Sequence, residues 1–210
     1  KSARETAASL KPLSAKQTNG VRTFLEEAKA DGLATLGSLE SGRLIEAAGI
    51  PVPPSAAITS FREGVVFAAE HGYPVVLKIS SPRILHKTDA RAVITNINDK
   101  KTLGDAREEL SGKIKKMKLG SDRNTTIQIQ KQIPAGIELI VGMKRDPSFG
   151  PVYLFGAGGI LAELIGDKNL ALEPMSERAI RDLIESSKVS RLLTGYRGEA
   201  PKNIPDLRRL

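Results

Sequence analysis

The segment Ser81-Pro82-Arg83-Ile84-Leu85-His86-Lys87-Thr88-Asp89 carries the most reactive combination of side chains in the sequence. An imidazole nitrogen that is unprotonated near neutral pH can attack phosphorus, so His86 is a candidate nucleophile. Lys87 would offset phosphate charge, and Asp89 would orient the ring or help hold a metal. A histidine in a polar loop also serves as a surface or hydrogen-bonding residue. Its setting favours chemistry: the loop directly follows the apolar run Val75-Val76-Leu77-Lys78-Ile79, and functional loops are commonly held by rigid strands. His71 differs, because it stands at a helix end beside Gly72, where a histidine caps carbonyls and suits the helix dipole.

Four further features could handle anions or cations. Gly156-Ala157-Gly158-Gly159 follows an apolar run and could bring backbone N–H groups close to a phosphate. Its spacing is neither the dinucleotide fingerprint nor a P-loop. Glu163 and Asp167 could ligate Mg²⁺, which takes oxygen ligands alongside nucleotide phosphates. A surface-facing strand carboxylate is the competing reading of Glu163. Glu138 and Lys78 each interrupt an apolar run, which suits either a solvent-facing position or a ligand contact.

The elements that must position these residues follow from periodicity. Residues 1 to about 17 read as linker, and Val21, Phe24, Leu25 and Ala28 mark a helix stopped by Gly32. A second helix spans Leu39 to Ala48, and Gly49 ends it before an extended Pro51-Val52-Pro53-Pro54 exit. Ser60 and Glu63 form a capping box before a third helix that ends at Gly72. Val75–Ile79 and Ala92–Ile97 read as strands, and Leu103, Ala106, Leu110, Ile114 and Met117 define an amphipathic helix. Alternation of Ile127 and Ile129 with Gln128 and Gln130 predicts a half-buried strand. Pro134-Ala135-Gly136 then joins it to a strand over Ile137–Met143. A turn at Pro147–Gly150 precedes a strand over Val152–Phe155, and Leu161–Ile165 reads as another strand with Glu163 in its middle. Ser176 caps a helix whose inner face is Ala179, Ile180, Leu183 and Ile184. The sequence from Leu192 to Leu210 reads as loop-rich.

Composition excludes several classes. With 40% hydrophobic and 27% charged residues the chain is globular in character. Cysteine is absent, which removes disulfides, thiolate catalysis and Cys-based metal sites. The net charge of +8 is spread out, and its densest run, Lys113 to Lys118, has the spacing of a solvated helix face. No nucleic-acid motif and no membrane-length apolar run is visible, so neither partner is expected and a cytoplasmic location is the simplest reading.

Several segments, in the same order, resemble the ATP-grasp portion of NDP-forming acyl-CoA synthetases, including ADP-forming acetate–CoA ligases. They are Gly72 to Lys78, Ser81 to Asp89, Val141-Gly142-Met143-Lys144-Arg145-Asp146-Pro147-Ser148-Phe149-Gly150-Pro151-Val152, Phe155 to Ile160, and Leu193-Thr194-Gly195-Tyr196-Arg197-Gly198. The resemblance runs from about Leu39 to Pro201. It implies an α+β (mixed α/β), two-lobed ATP-grasp fold lacking its final C-terminal segment. Residues 1–35 would be linker and a helix from a preceding domain. Residues 36–210 would form the ATP-grasp domain, with a nucleotide cleft between its lobes.

It also implies roles. His86 would relay phosphoryl to or from ATP/ADP, Lys78 and Lys87 would contact phosphate, and Gln130 and Lys131 would reach adenine or ribose. Glu138, Gly158 and Gly159 would support ribose or phosphate, and Glu163 and Asp167 would face Mg²⁺. CoA would be bound by a partner: CoA-binding and CoA-ligase domains in the same full-length chain, or a separate α-type subunit. The sequence departs from the family at Ala90-Arg91-Ala92, where relatives carry a small apolar residue and two glycines, and at Leu170-Ala171, where they carry Phe-Arg. Those departures keep open a second reading, a regulatory nucleotide-binding module of a fused protein acetyltransferase.

Overall fold

The computed structural model describes residues 12–81, 92–119 and 125–207, apart from the side chains of Ile160, Glu163 and Asp206. The chain divides into two compact units, one spanning Leu13–Pro134 and the other running from Ala135 onward. Helices and antiparallel sheets occur in both, which is the mixed two-lobed architecture implied by the sequence.

The N-terminal unit contains α1 (Ala15–Ala30), α2 (Ser38–Ala47), β1 (Ser55–Ile58), α3 (Phe61–His71), β2 (Val75–Ser80), β3 (Val93–Ile97), α4 (Lys100–Lys116) and β4 (Thr126–Lys131). Its sheet has the order β1-β4-β2-β3, with every neighbouring pair antiparallel. Leu77, Ile79 and Ile129 point from the sheet into a core closed by Phe67 of α3 and by Leu103 and Leu110 of α4. Each such side chain, fully buried, contributes about 1.5–3 kcal/mol.

Caps fix where the helices begin. Asp99 and Thr102 form a reciprocal box at the start of α4, each side chain accepting the other's backbone N–H. The backbone bond from Thr102, followed by its hydroxyl, holds the Asp99 carboxyl below its ordinary value of 3.8. At α3 the Ser60 hydroxyl accepts from the Glu63 N–H, as expected, but the Glu63 carboxylate turns to Thr59. It accepts the Thr59 N–H at 2.7 Å and the Thr59 hydroxyl at 2.9 Å. Those bonds hold Glu63 below its ordinary value of 4.5.

The C-terminal unit contains β5 (Leu139–Asp146), β6 (Gly150–Ala157), α5 (Gly159–Ile165), β7 (Lys168–Leu172), α6 (Glu177–Glu185), α7 (Ser190–Leu193) and α8 (Ile204–Leu207). Its sheet has the order β5-β6-β7, again antiparallel. Phe155 and Ala157 form its core with Ile184 of α6, Val189, and Leu193 of α7.

The structure corrects several local expectations. Helix α1 begins at Ala15 rather than after residue 17, because Ser14 and Gln17 make a reciprocal capping box. Two strands, β1 and β7, are short and poor in β-branched and aromatic residues, so they do not stand out in the sequence. β4 is a central strand rather than a half-buried one: β1 and β2 flank it, and Gln128 is buried along with Ile127 and Ile129. β4 and β5 do not pair, so Pro134-Ala135-Gly136 links two sheets instead of closing a hairpin. Residues 161–165 are helical rather than extended, since the run Ile-Leu-Ala-Glu-Leu-Ile consists mainly of helix formers and Gly166, at φ +55°, ends it in the left-handed conformation.

Candidate nucleotide site

Register sorts the N-terminal sheet into two faces. Lys78 pairs with Gln128, and Val76 pairs with Gln130, so Lys78, Gln128 and Gln130 share the face opposite the helix-covered core. The Lys78 ammonium donates to Gln130 Oε1 at 2.8 Å. A lysine thus stands part-buried on a rigid central strand, aimed by an amide on the neighbouring strand. β2 ends at Ser80, and Ser81 precedes residues 82–91 in the chain, so His86, Lys87, Asp89 and Arg91 lie outside the described residues. Ser81 accepts the Thr125 hydroxyl at 2.9 Å, which ties the start of that segment to the strand beside it. Ala92, at its far end, is fully buried and accepts the Ile79 N–H at 2.8 Å. Its φ is not positive, so the backbone at 92 has no need of glycine.

Lys131 and Gln132 serve as anchors where β4 ends. The Lys131 ammonium donates to the carbonyls of Gly72 at 3.1 Å and Tyr73 at 2.8 Å, the backbone that leads from α3 into β2. Gln132 makes a two-way bond with Asn96: its Oε1 accepts the Asn96 N–H and its Nε2 donates to Asn96 Oδ1, both at 2.7 Å. His71, set aside at the sequence level, packs its ring 4.5 Å from that of Phe67 in the last turn of α3.

In the C-terminal unit, the glycine run divides its work. Gly156 and Ala157 belong to β6, and the Gly158 N–H donates to the Glu138 carbonyl at 2.7 Å. A β-carbon on Gly156 would overlap the Asp167 carbonyl oxygen, and one on Gly159, at φ +55°, would overlap the Glu138 carboxylate. Glu138 itself is exposed at the entry to β5, with its carboxylate lying over Gly159 at the start of α5. Glu163 lies on α5, and its side chain is outside the described set.

Asp167 is an internal anchor. Only 3% exposed, its Oδ1 accepts the Lys188 N–H and its Oδ2 the Val189 N–H, both at 2.8 Å. Asn169 Nδ2 adds a third bond at 3.3 Å. Both carboxylate oxygens are therefore committed to the turn between α6 and α7. Among the described residues no group of three or more His, Cys, Asp or Glu side chains could hold a metal.

The sheet of this unit also has a face turned away from the core, which sequence reasoning missed. Cross-strand triplets Ile140–Gly156–Lys168, Gly142–Leu154–Leu170 and Lys144–Val152–Leu172 lie on it. Leu170 is 65% exposed. Ala171 pairs with Tyr153 on the opposite face, so the missing family arginine at that position leaves the Lys168/Lys144 face unchanged. The signal that could have found it is the period-2 spacing of Lys168, Leu170 and Leu172. Among the described residues no helix is long and apolar enough to cross a membrane.

Comparison with known proteins places this geometry in a family. The profile of the ATP-grasp domain matches residues 27–210. The β subunit of acetate–CoA ligase [ADP-forming] I from Pyrococcus furiosus is 38% identical over 89% of this chain and 79% of its own. The 4-hydroxybutyrate–CoA ligase [ADP-forming] of Nitrosopumilus maritimus is 34% identical over 89% of this chain, which spans only 26% of that longer protein. A dinucleotide-forming acetyl-coenzyme A synthetase 1 from Ca. Korarchaeum cryptofilum superposes with a TM-score of 0.73 at 35% identity, covering 90% of this chain and 80% of that one. That structure holds coenzyme A and Mg-AMPPCP, with its phosphohistidine segment pointing towards the nucleotide binding site. The chain belongs to the ATP-grasp family, on the branch formed by the β-type portions of ADP-forming acyl-CoA ligases.

Proposed function

We propose that the chain binds ADP or ATP and passes phosphoryl between the nucleotide and His86, as the nucleotide-handling portion of an NDP-forming acyl-CoA synthetase. The observation that carries this reading is the Lys78–Gln130 pair: a cation aimed by hydrogen bonding on the strand that runs into the His86 segment. The transfer needs little covalent chemistry from the protein beyond the nucleophile, and depends on alignment and charge stabilisation. An unprotonated His86 nitrogen forms a P–N bond to the γ-phosphorus while the bond from that phosphorus to the bridging oxygen breaks. ADP leaves with the electron pair, and the reverse step makes ATP from ADP and phosphohistidine.

In this reading Lys78 and Lys87 neutralise phosphate charge, and Gln130 keeps Lys78 extended along the sheet. Lys131, beside Gln130, ties the backbone between α3 and β2 to the end of β4. Glu138, Gly158 and Gly159 are the C-terminal unit's contacts to ribose or phosphate. Mg²⁺ supplies charge neutralisation of the phosphates when bound. Glu163 is the carboxylate offered to it, and Asp167 holds the turn between α6 and α7. Acyl activation and CoA binding fall to CoA-binding and CoA-ligase domains, fused to this chain or carried by an α-type subunit.

Lys78→Met tests the carrying observation. A charge-assisted contact to phosphate contributes about 1.5–3 kcal/mol, so calorimetry is expected to show ADP binding roughly 10- to 100-fold weaker. Undiminished affinity in this variant would remove Lys78 from the site and the reading with it.

A further inference from the structure

Beside the Lys78–Gln130 pair lies a polar group that none of the described residues satisfies. Gln128 is 1% exposed, and its Oε1 is buried with no hydrogen-bond donor among the described residues. Buried side-chain polar atoms nearly always have partners, and an orphaned one points to an absent water, ion or ligand. The position is a demanding one for such a group: the centre of the central strand, with Ala57 opposite on one side and Lys78 opposite on the other. An apolar residue would fit the strand without that cost.

From this we infer that Gln128 is a further nucleotide-binding residue, its carboxamide oxygen accepting a hydroxyl of the bound nucleotide's ribose. The inference rests on the reading of Lys78 and Gln130 given above and adds a specificity contact to it. An amide oxygen needs a donor, and phosphate oxygens are acceptors. The donors on an adenine nucleotide are the exocyclic amine and the ribose hydroxyls. Gln130 stands at the end of β4 read as reaching base or ribose, and Lys78 is read as reaching phosphate. Gln128 shares their face and sits directly across from Lys78, at the phosphate-proximal side of Gln130. The sugar is the part of a nucleotide that joins base to phosphate, so its hydroxyls are the donors matched to this place.

The test is a binding cycle on the intact chain. ADP, 2′-deoxy-ADP and 3′-deoxy-ADP are titrated calorimetrically into the unsubstituted protein and into Gln128→Leu, with melting curves recorded for both. The unsubstituted chain is expected to bind one of the deoxy analogues about three- to tenfold more weakly than ADP, the range of a net neutral hydrogen bond. Gln128→Leu is expected to lose the same factor for ADP and to bind that analogue no worse than ADP, while melting at or above the parent temperature. Equal binding of ADP and both deoxy analogues by the unsubstituted chain would overturn the inference whatever the variant does. So would independent, additive losses from the substitution and from the missing hydroxyl. Failure of the unsubstituted chain to bind ADP at all would overturn the nucleotide reading itself.

Discussion

Substituting Asp167 separates two jobs a buried carboxylate can do. Its oxygens accept the Lys188 and Val189 N–H groups at 2.8 Å each, inside the C-terminal unit. Asp167→Asn keeps one acceptor and turns an NH₂ toward the other N–H, leaving one backbone donor unsatisfied and both bonds without charge assistance. That costs roughly 1.5–3 kcal/mol, and Asp167→Ala, which orphans both donors, roughly 2–6 kcal/mol. For a chain of this size each kcal/mol moves the melting temperature by about 2–4 °C. Asp167→Asn should therefore melt roughly 3–12 °C lower, and Asp167→Ala lower still. Differential scanning fluorimetry in metal-free buffer, then with Mg²⁺ and ADP, reads both effects. The loss of stability is expected without metal, and the upward shift on adding Mg-ADP is expected to be unchanged. Unaltered melting in metal-free buffer, together with disappearance of the Mg-ADP shift, would refute the anchoring argument and make Asp167 a metal ligand.

Two further outcomes follow from the N-terminal unit. Asn96 sits at φ +57° and shares a pair of hydrogen bonds with Gln132. Asn96→Ala loses a side-chain bond and puts a residue less tolerant of the left-handed region than Asn at this φ, at roughly 1–2 kcal/mol in urea denaturation, whereas Asn96→Gly recovers the backbone part. Glu63 and Asp99 have lowered folded-state values, so the stability they contribute is present above their ordinary values of 4.5 and 3.8. It is lost as pH falls through the lower folded values. Helix content followed by circular dichroism between about pH 5 and 3 should drop, and Glu63→Gln should flatten that dependence.

How much of this could be read from sequence depended on the strength of each local signal. α4 and β2 were legible because Leu103, Ala106 and Leu110 repeat at helical spacing and Val75–Ile79 is a nearly unbroken apolar run. The run 160–165 was equally apolar but only six residues long, a length at which helix and buried strand look alike, and the flanking glycines decided it. Ser55–Ile58 and Lys168–Leu172 have weak strand composition and form by pairing with β4 and β6. Gln128 looked solvent-facing because alternation reports a face, not whether that face is covered. Lys78 and Gln130 were named separately, and only register brings them together, across 52 residues. The anchoring of Asp167 by backbone at 188 and 189 leaves no mark on sequence spacing. The glycines after β6 gave a usable signal of close backbone approach. At Gly156 the neighbour is Asp167 backbone, and at Gly159 it is the Glu138 carboxylate.

The central claim is that phosphoryl passes through His86. Incubating the chain with γ-labelled Mg-ATP and recovering the protein under alkaline conditions measures it directly. A stoichiometric adduct is expected that is stable in alkali and labile in acid, is discharged by added ADP with formation of labelled ATP, and is absent from His86→Ala. Retention of the adduct in His86→Ala, or no adduct on a folded chain that binds ATP, would contradict it.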